Sequence, residues 1–316
     1  MTKKILITGG TGFIGNYIVD KLLADDNEIH VIDNLSTGNP QYIEKWKKLE
    51  KFKFFKIDLL EKKLLESLTR YDLIYHFAAD PEVRTSVSNP ETHFKQNILA
   101  TFNLLESIKE KTPENFVFLS TSTVYGDATE IPTSENYPTI EPISPYGASK
   151  LACESLISSY AHTFNFKSTI FRLANIVGER STHGVIIDFI RKLTNNPKSL
   201  EILGDGTQNK SYMYISDCID AIQFGLSNTN ELVQVFNLGS FDRVNVKTIA
   251  QVIVEEMNLR DVKFNFTGGV DGGRGWKGDV KNMLLDITKL SSIGWKPKFN
   301  SLDAVRHTTK KIISKN

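Results

Sequence analysis

Several things are scarce in this sequence, and each scarcity excludes something. Two cysteines in 316 residues are too few for a disulfide-stapled scaffold or a thiolate metal centre. Cys153 and Cys218 lack metal-ligand spacing and fall in apolar helical patterns, where small buried thiols are expected, so neither a disulfide nor a metal is anticipated. Neither sign of charge is in excess. With 38 Lys+Arg against 37 Asp+Glu the net charge is +1, which gives no overall field to draw in nucleic acid or an anionic membrane, so any anionic ligand must be held by local groups. Long apolar runs are also missing. Nothing approaches the roughly 20 apolar residues of a membrane span, and the stretch in MTKKILITGG is too short before its glycines for a signal peptide. A soluble protein of a reducing, cytoplasmic compartment is the expectation.

What is present is a rhythm. Short apolar runs at 4–8, 28–33, 53–58, 72–78, 115–120 and 168–173 alternate with helical patterns that include 12–24, 90–111 and 145–164. Strands apolar on both faces and separated by helices predict a parallel sheet covered on both sides, a doubly wound α/β fold. After about residue 175 the rhythm loosens into loops such as GERSTHG, GDGTQNK and TGGVDGGRGWKGD. Loops of this composition suggest a smaller α/β region carrying binding functions. The expected division is 1–175 for the sheet domain and 176–316 for the smaller region, with QVFNLG at 234–239, inside 234–250, either returning to the sheet or belonging to the second region.

The run KILITGGTGFIG places a strand directly before Gly9, Gly12 and Gly15, and Phe13 and Ile14 open the helix that follows. Glycines let the backbone turn sharply toward a pyrophosphate, while free N–H groups and the positive helix end attract its charge. Strand before and helix after make this a dinucleotide loop. Asp33 ends the next strand, where a carboxylate accepts from adenosine ribose hydroxyls and repels a 2′-phosphate, which favours NAD over NADP. Asp58, after the third strand, with Leu59, is a candidate for the adenine edge.

The run SPYGASKLACE sets Tyr146 and Lys150 four positions apart on one helix face. Alone, that pair is either a reactive site or an accident of helix composition. Taken in order with TGGTGFIG, DNLSTG, HFAA, STSTVYG, RLANIVG, GDGTQ and GWKGDV, it resembles the extended short-chain dehydrogenase/reductases, and within them the nucleotide-sugar epimerases of the UDP-glucose 4-epimerase type. The resemblance covers nearly the whole chain. It implies a Rossmann domain with bound NAD, a downstream region for an NDP-sugar such as a UDP-sugar, and a homodimer formed through the helical segments near 91–111 and 145–164. It also places Asn34, Ser36, Gly38, Ala78 and Ala79 at the cofactor.

By the same resemblance Tyr146 and Lys150 occupy the family's Tyr-x-x-x-Lys and Thr121 its Ser/Thr position, with Ser122 beside it. Lys150 is expected to hold the nicotinamide ribose and to lower the phenol pKa, so that Tyr146 works as a base near neutral pH. Thr121, at a strand's C-terminal end, is expected to share the proton at the sugar O4. Asn175 matches an asparagine facing the substrate, although an amide in a loop also serves its own carbonyls. Lys210 stands where the family usually carries arginine, keeping the charge without the bidentate fork. Arg274, Arg180 and Arg84 are the other candidate cations for a diphosphate. Family dehydratases follow the catalytic threonine with Asp-Glu, whereas this chain reads Thr121-Ser122-Thr123, so dehydration lacks its acid/base pair. The resemblance thus implies C4 epimerisation of a UDP-hexose, UDP-glucose and UDP-galactose foremost. A UDP-glucuronate or UDP-N-acetylhexosamine epimerase, an NDP-sugar decarboxylase or reductase, and a non-catalytic dinucleotide sensor are the alternatives.

Overall fold

Runs of β-branched and aromatic residues with no polar face have to be covered on both sides, and the structure shows how. It is a computed structural model that describes residues 2–228 and 230–315. Seven strands form one sheet: β1 (Lys4–Thr8), β2 (Glu28–Ile32), β3 (Phe52–Phe55), β4 (Leu73–His76), β5 (Asn115–Thr121), β6 (Lys167–Leu173) and β7 (Val233–Leu238). Their order is β7-β6-β5-β4-β1-β2-β3. Pairing is parallel from β3 through β5, with Ile5 opposite both Ile29 and Leu73. The order reverses between β1 and β4, and ligands of such sheets bind beyond the strands' carboxyl ends at that switch point.

Helix α1 (Phe13–Ala24) follows the β1 loop. One face of the sheet is sealed by Leu6, Ile32, Ile74, Phe116 and Phe118 packed with Leu104, Leu105, Cys153 and Ile157 from two further helices. Each such fully buried large apolar side chain contributes about 1.5–3 kcal/mol. Burial of these chains anchors the strand ends where the candidate residues lie.

The segment expected as one helix over 90–111 is interrupted. It runs as α2 (Pro90–His93), a π-helical turn (Phe94–Leu99) and α3 (Ala100–Ile108). Pro90 suits the first helical position, where its missing N–H costs nothing. The wider turn carries Asn97, whose amide is drawn to the backbone of Asp80 and to the Ser149 hydroxyl. Helix α4 (Pro145–Phe164) is unbroken over 20 residues. The third strand ends at Phe55, earlier than the expected 58, which leaves Asp58 in the following turn.

The chain divides into two compact units. One takes in the chain up to Thr121 with Pro145–Arg172 and Gln223–Phe236, and the other holds Ser122–Ser144, Leu173–Ile222 and the chain from Asn237 onward. The units interleave, where the sequence suggested a single soft boundary near 175. The strand of the 234–239 segment takes the edge of the seven-stranded sheet.

The second unit is itself α/β. Asn175–Val177 pairs in parallel with Tyr212–Tyr214, and Ser199–Ile202 with Lys263–Phe266. Asn209–Lys210 lies between Val244–Asn245 and Asn282–Met283. Helices Val185–Asn195, Val246–Glu256 and Ser301–Ile313 complete it, the last two opened by Asn245 and Asn300 side chains that accept first-turn N–H groups. Among the described residues no helix is long and apolar enough to cross a membrane.

Candidate active site

The β1 loop has the shape a pyrophosphate needs. Gly9 adopts φ +72°, and a Cβ there would lie 2.6 Å from the Ala78 nitrogen, so neither the conformation nor the space admits another residue. Gly15 packs so closely on the Gly9 carbonyl that it too has no room for a side chain. Gly12 caps α1 without a side-chain hydrogen bond, leaving the first-turn N–H groups of Phe13, Ile14 and Gly15 without a capping acceptor. Between these glycines the Thr11 hydroxyl is buried with no partner among the described residues. An N–H cradle, a helix N-terminus and an orphaned buried hydroxyl together fit an anionic dinucleotide.

The acidic side of this pocket is more occupied than the sequence indicates. Asp33 is buried, and its two oxygens accept from the N–H groups of Thr11 at 3.0 Å and Leu35 at 2.8 Å. It therefore shapes the glycine loop, and only its remaining lone pairs are left for a ribose. Asn34 donates to Asp58 at 3.0 Å while accepting from the Ser36 N–H, and Asp58 also accepts from the Leu60 N–H. Gly38 lies against Thr11 with no space for a side chain. Leu59 is buried in the core. Ala78 donates its N–H to Thr8, and Ala79 follows in the same loop after β4.

Tyr146 starts α4 and Thr121 ends β5. The two are hydrogen-bonded, and this bond lowers a phenol pKa that burial, the larger influence, and Asp80 push up. Lys150, one turn along α4, donates to the Leu119 carbonyl at 2.9 Å and lies 4.7 Å from the centre of the Phe118 ring. Burial brings its ammonium down to about 8, with Cys153 and Glu154 favouring the charged form. Thr121, rather than Lys150, is the protein group seen to ease ionisation of the phenol. The lysine is committed to a strand-end carbonyl, a place from which an amine can also reach cofactor hydroxyls.

Below this group is a buried ion pair that sequence reasoning missed. Glu154 accepts from Arg172 through Nε at 3.1 and 3.2 Å and Nη2 at 2.7 Å, and also from the Ser120 hydroxyl. Both side chains are under a tenth exposed. The signal was available: Glu154 is four residues beyond Lys150, so a carboxylate had to share the buried face of α4. Thr11 and Asn97 were likewise unmarked, as they fall within motifs read for their glycines or their apolar period.

In the second unit the structure brings Lys210 and Arg274 together around Asp279. Lys210 Nζ meets Asp279 Oδ1 at 2.5 Å, and Arg274 Nη1 donates to the Asp279 carbonyl at 2.5 Å. Arg274 also forms a bidentate pair with Asp127, at 3.0 and 2.8 Å. Lys210 stands 5.6 Å from the Trp276 ring centre. The Asn175 amide nitrogen donates to the Ser211 carbonyl at 3.1 Å, which leaves its oxygen for any ligand. Arg180 stands in the turn after Asn175–Val177, and Ser122 is buried at the start of a 3-10 turn. Arg84 belongs to the other unit, exposed at the cap of the short turn Thr85–Val87.

A switch-point sheet with a glycine cradle and a buried Tyr-Thr-Lys group is the arrangement of a dinucleotide-dependent enzyme. The chain belongs to the NAD dependent epimerase/dehydratase family, which residues 5–239 match. It is 35% identical over 309 residues, 96% of both chains, to a putative UDP-glucose 4-epimerase of Methanocaldococcus jannaschii. A solved UDP-galactose 4-epimerase superimposes with a TM-score of 0.87 at 38% identity, covering 98% of this chain and 99% of that one. The UDP-glucuronic acid 4-epimerase of Bacillus cereus, solved with UDP-glucuronic acid and NAD, gives 0.87 at 29% identity over 99% and 100% of the two chains. NAD is the cofactor of the family, and the loop residues described above fit it.

Proposed function

We propose that the protein inverts C4 of a UDP-hexose, with UDP-glucose and UDP-galactose as the pair it interconverts. The observation that carries this reading is the Tyr146–Thr121 hydrogen bond with Lys150 one turn away, in a chain whose Thr121 is followed by serine and threonine. Tyr146, ionised, takes the proton of the sugar O4, and Thr121 holds that oxygen through its hydroxyl. NAD supplies the acceptor, and later the donor, of the C4 hydride. Lys150 steadies the cofactor side, with Cys153 and Glu154 favouring its ammonium against burial. Hydroxyls can share a proton but cannot replace the acid/base carboxyl pair that expels water, so the keto sugar keeps its C6 hydroxyl and is reduced again.

Inversion requires the keto sugar to present its other face while its diphosphate stays anchored. Lys210 and Arg274, gathered at Asp279, are the assigned grip, and the Asn175 oxygen faces the hexose. A homodimer through α2–α3 and α4 belongs to the same reading, supported by Phe94, which is 55% exposed at the start of the π turn.

The test is incubation of the purified protein, without added cofactor, with UDP-glucose, UDP-N-acetylglucosamine and UDP-glucuronate, followed by NMR of the products. UDP-galactose from UDP-glucose is the expected outcome. Failure to invert any of the three, even with NAD supplied, removes the reading, whereas CO2 release or net NADH consumption replaces it with a decarboxylase or a reductase.

A further inference from the structure

A polar thread crosses the apolar core of the first unit. His76 ends β4 and is 1% exposed, with its ring stacked 5.7 Å from Phe118 and tilted 5.8 Å from Phe116. Each ring nitrogen meets a threonine hydroxyl, Nδ1 that of Thr8 at 2.7 Å and Nε2 that of Thr101 at 2.8 Å. Thr8 directly precedes Gly9, and its oxygen also accepts from the Ala78 N–H at 3.2 Å. On the other side the Thr101 hydroxyl donates to the Asn97 carbonyl at 2.6 Å. The Asn97 amide donates to Ser149 Oγ at 2.9 Å, and Ser149 donates to the Tyr146 carbonyl at 2.8 Å. Hydrogen bonds and the frame of Asn97 thus join the glycine loop to the first turn of α4.

The Thr8 hydroxyl has Nδ1 as its acceptor among the described residues, which places the proton of the neutral ring on Nε2, facing Thr101. Burial, the main influence, and the nearby Lys150 charge bring the imidazole down to about 3. The ring is therefore neutral at any working pH and carries no proton for the reaction. Its use is geometric, because a buried network with every member satisfied admits one arrangement where apolar side chains would admit several. The cradle has no slack at the point where the thread reaches it: a Cβ on Gly9 would lie 2.6 Å from the Ala78 nitrogen.

We propose that His76 is a positioning residue: by bridging Thr8 and Thr101 it holds the Gly9–Ala78 edge of the NAD cradle in fixed register with the turn of α4 that carries Tyr146. The inference rests on NAD as the cofactor and on Tyr146 as the base. It also gives the π turn a task, since Asn97 is the residue through which the thread passes from α3 to α4.

The experiment compares wild type with Thr8→Val and Thr101→Val, both nearly isosteric, with their double variant, and with His76→Phe and His76→Asn. The NAD dissociation constant, kcat and KM at saturating NAD, and melting temperature are measured for each. Thr101→Val is expected to weaken NAD about tenfold although Thr101 lies on α3, outside the cradle. Thr8→Val is expected to lower kcat about tenfold at saturating NAD and to keep the sugar KM within about twofold. Either change breaks the same thread, so the double variant should lose no more than the worse single one. His76→Asn, whose amide offers one donor and one acceptor, should recover part of what His76→Phe loses; the threonine variants decide even if His76→Phe does not fold. The proposal is overturned by losses that add in the double variant, by Thr101→Val with the wild-type NAD constant, or by variants that lose melting temperature alone. NAD affinity does not depend on the sugar chemistry, so a wild type that inverts no sugar removes the proposed function while the NAD constants still decide the thread.

Discussion

The two units solve opposite electrostatic problems. In the first, Tyr146, Lys150, Glu154 and Arg172 are nearly all removed from water, and each is tied to a strand end or to another buried group. In the second, Arg274 and Lys281 are partly exposed on or beside a glycine-rich loop, and each already holds a carboxylate. A low-dielectric, fixed setting is what moves the phenol up and the amine down from their ordinary values. A cation that waits for an anion does better partly hydrated, with a partner it can exchange. Under the proposed function the first unit serves chemistry at one point and the second capture and release.

The largest effect that tests this contrast is at Tyr146. Tyr146→Phe keeps the ring and its contact with His93 but removes the hydroxyl that is hydrogen-bonded to Thr121. Loss of a positioned general base predicts a fall in kcat of about 10³-fold, with bound NAD unchanged. Stopped assays on the NAD-bound protein measure the first, and absorbance of the released nucleotide the second. If turnover dropped only in step with NAD content, Tyr146 would be part of the cofactor grip rather than the base.

A smaller loss, of stability first, is expected from Glu154→Gln. The buried Arg172 guanidinium would lose the Glu154 carboxylate, at a cost of about 3 kcal/mol, readable as a lower urea midpoint. The carboxylate also favours the Lys150 ammonium, which burial already holds at about 8. Without it the lysine gives up its proton at a lower pH, so the alkaline limb of kcat should move down. A Glu154→Gln protein with the wild-type midpoint would mean that the first unit's charges are better hydrated than their burial suggests, which would weaken the contrast.

These differences also account for what could be read from the sequence. Strands β1, β4 and β5 were legible because an apolar run bounded by turn residues has few other uses, and Gly9, Gly12 and Gly15 because a phosphate loop imposes fixed spacing. The π turn was not, since the apolar period of 90–111 continues through it and its cause is a side chain, Asn97, reaching back to Asp80. Nor was the excursion of 122–144 into the second unit, because strand β5 ends at Thr121 without a glycine or proline to mark the departure. The cation site was the least legible. Arg274 finds Asp127 at a separation of 147 residues, and pairing of that kind leaves no periodic trace.

The finest test is within the second unit, between its two central cations. Lys210 is 16% exposed and its partner Asp279 only 3%, so Lys210→Ala leaves a buried carboxylate that, among the described residues, keeps the Gly275 N–H as its side-chain hydrogen-bond donor. That charge would repel a diphosphate as well as forgo the lost attraction, and UDP affinity should fall about tenfold, measured by calorimetry. Arg274 is paired with an Asp127 that is 47% exposed, and water readily takes over such a partner. Arg274→Ala should therefore cost less than about 1 kcal/mol of stability and weaken UDP by only about threefold, less than Lys210→Ala does. Should the order reverse, the bidentate fork of Arg274 would be the principal anion grip, and its pairing with Asp127 a state that the ligand displaces.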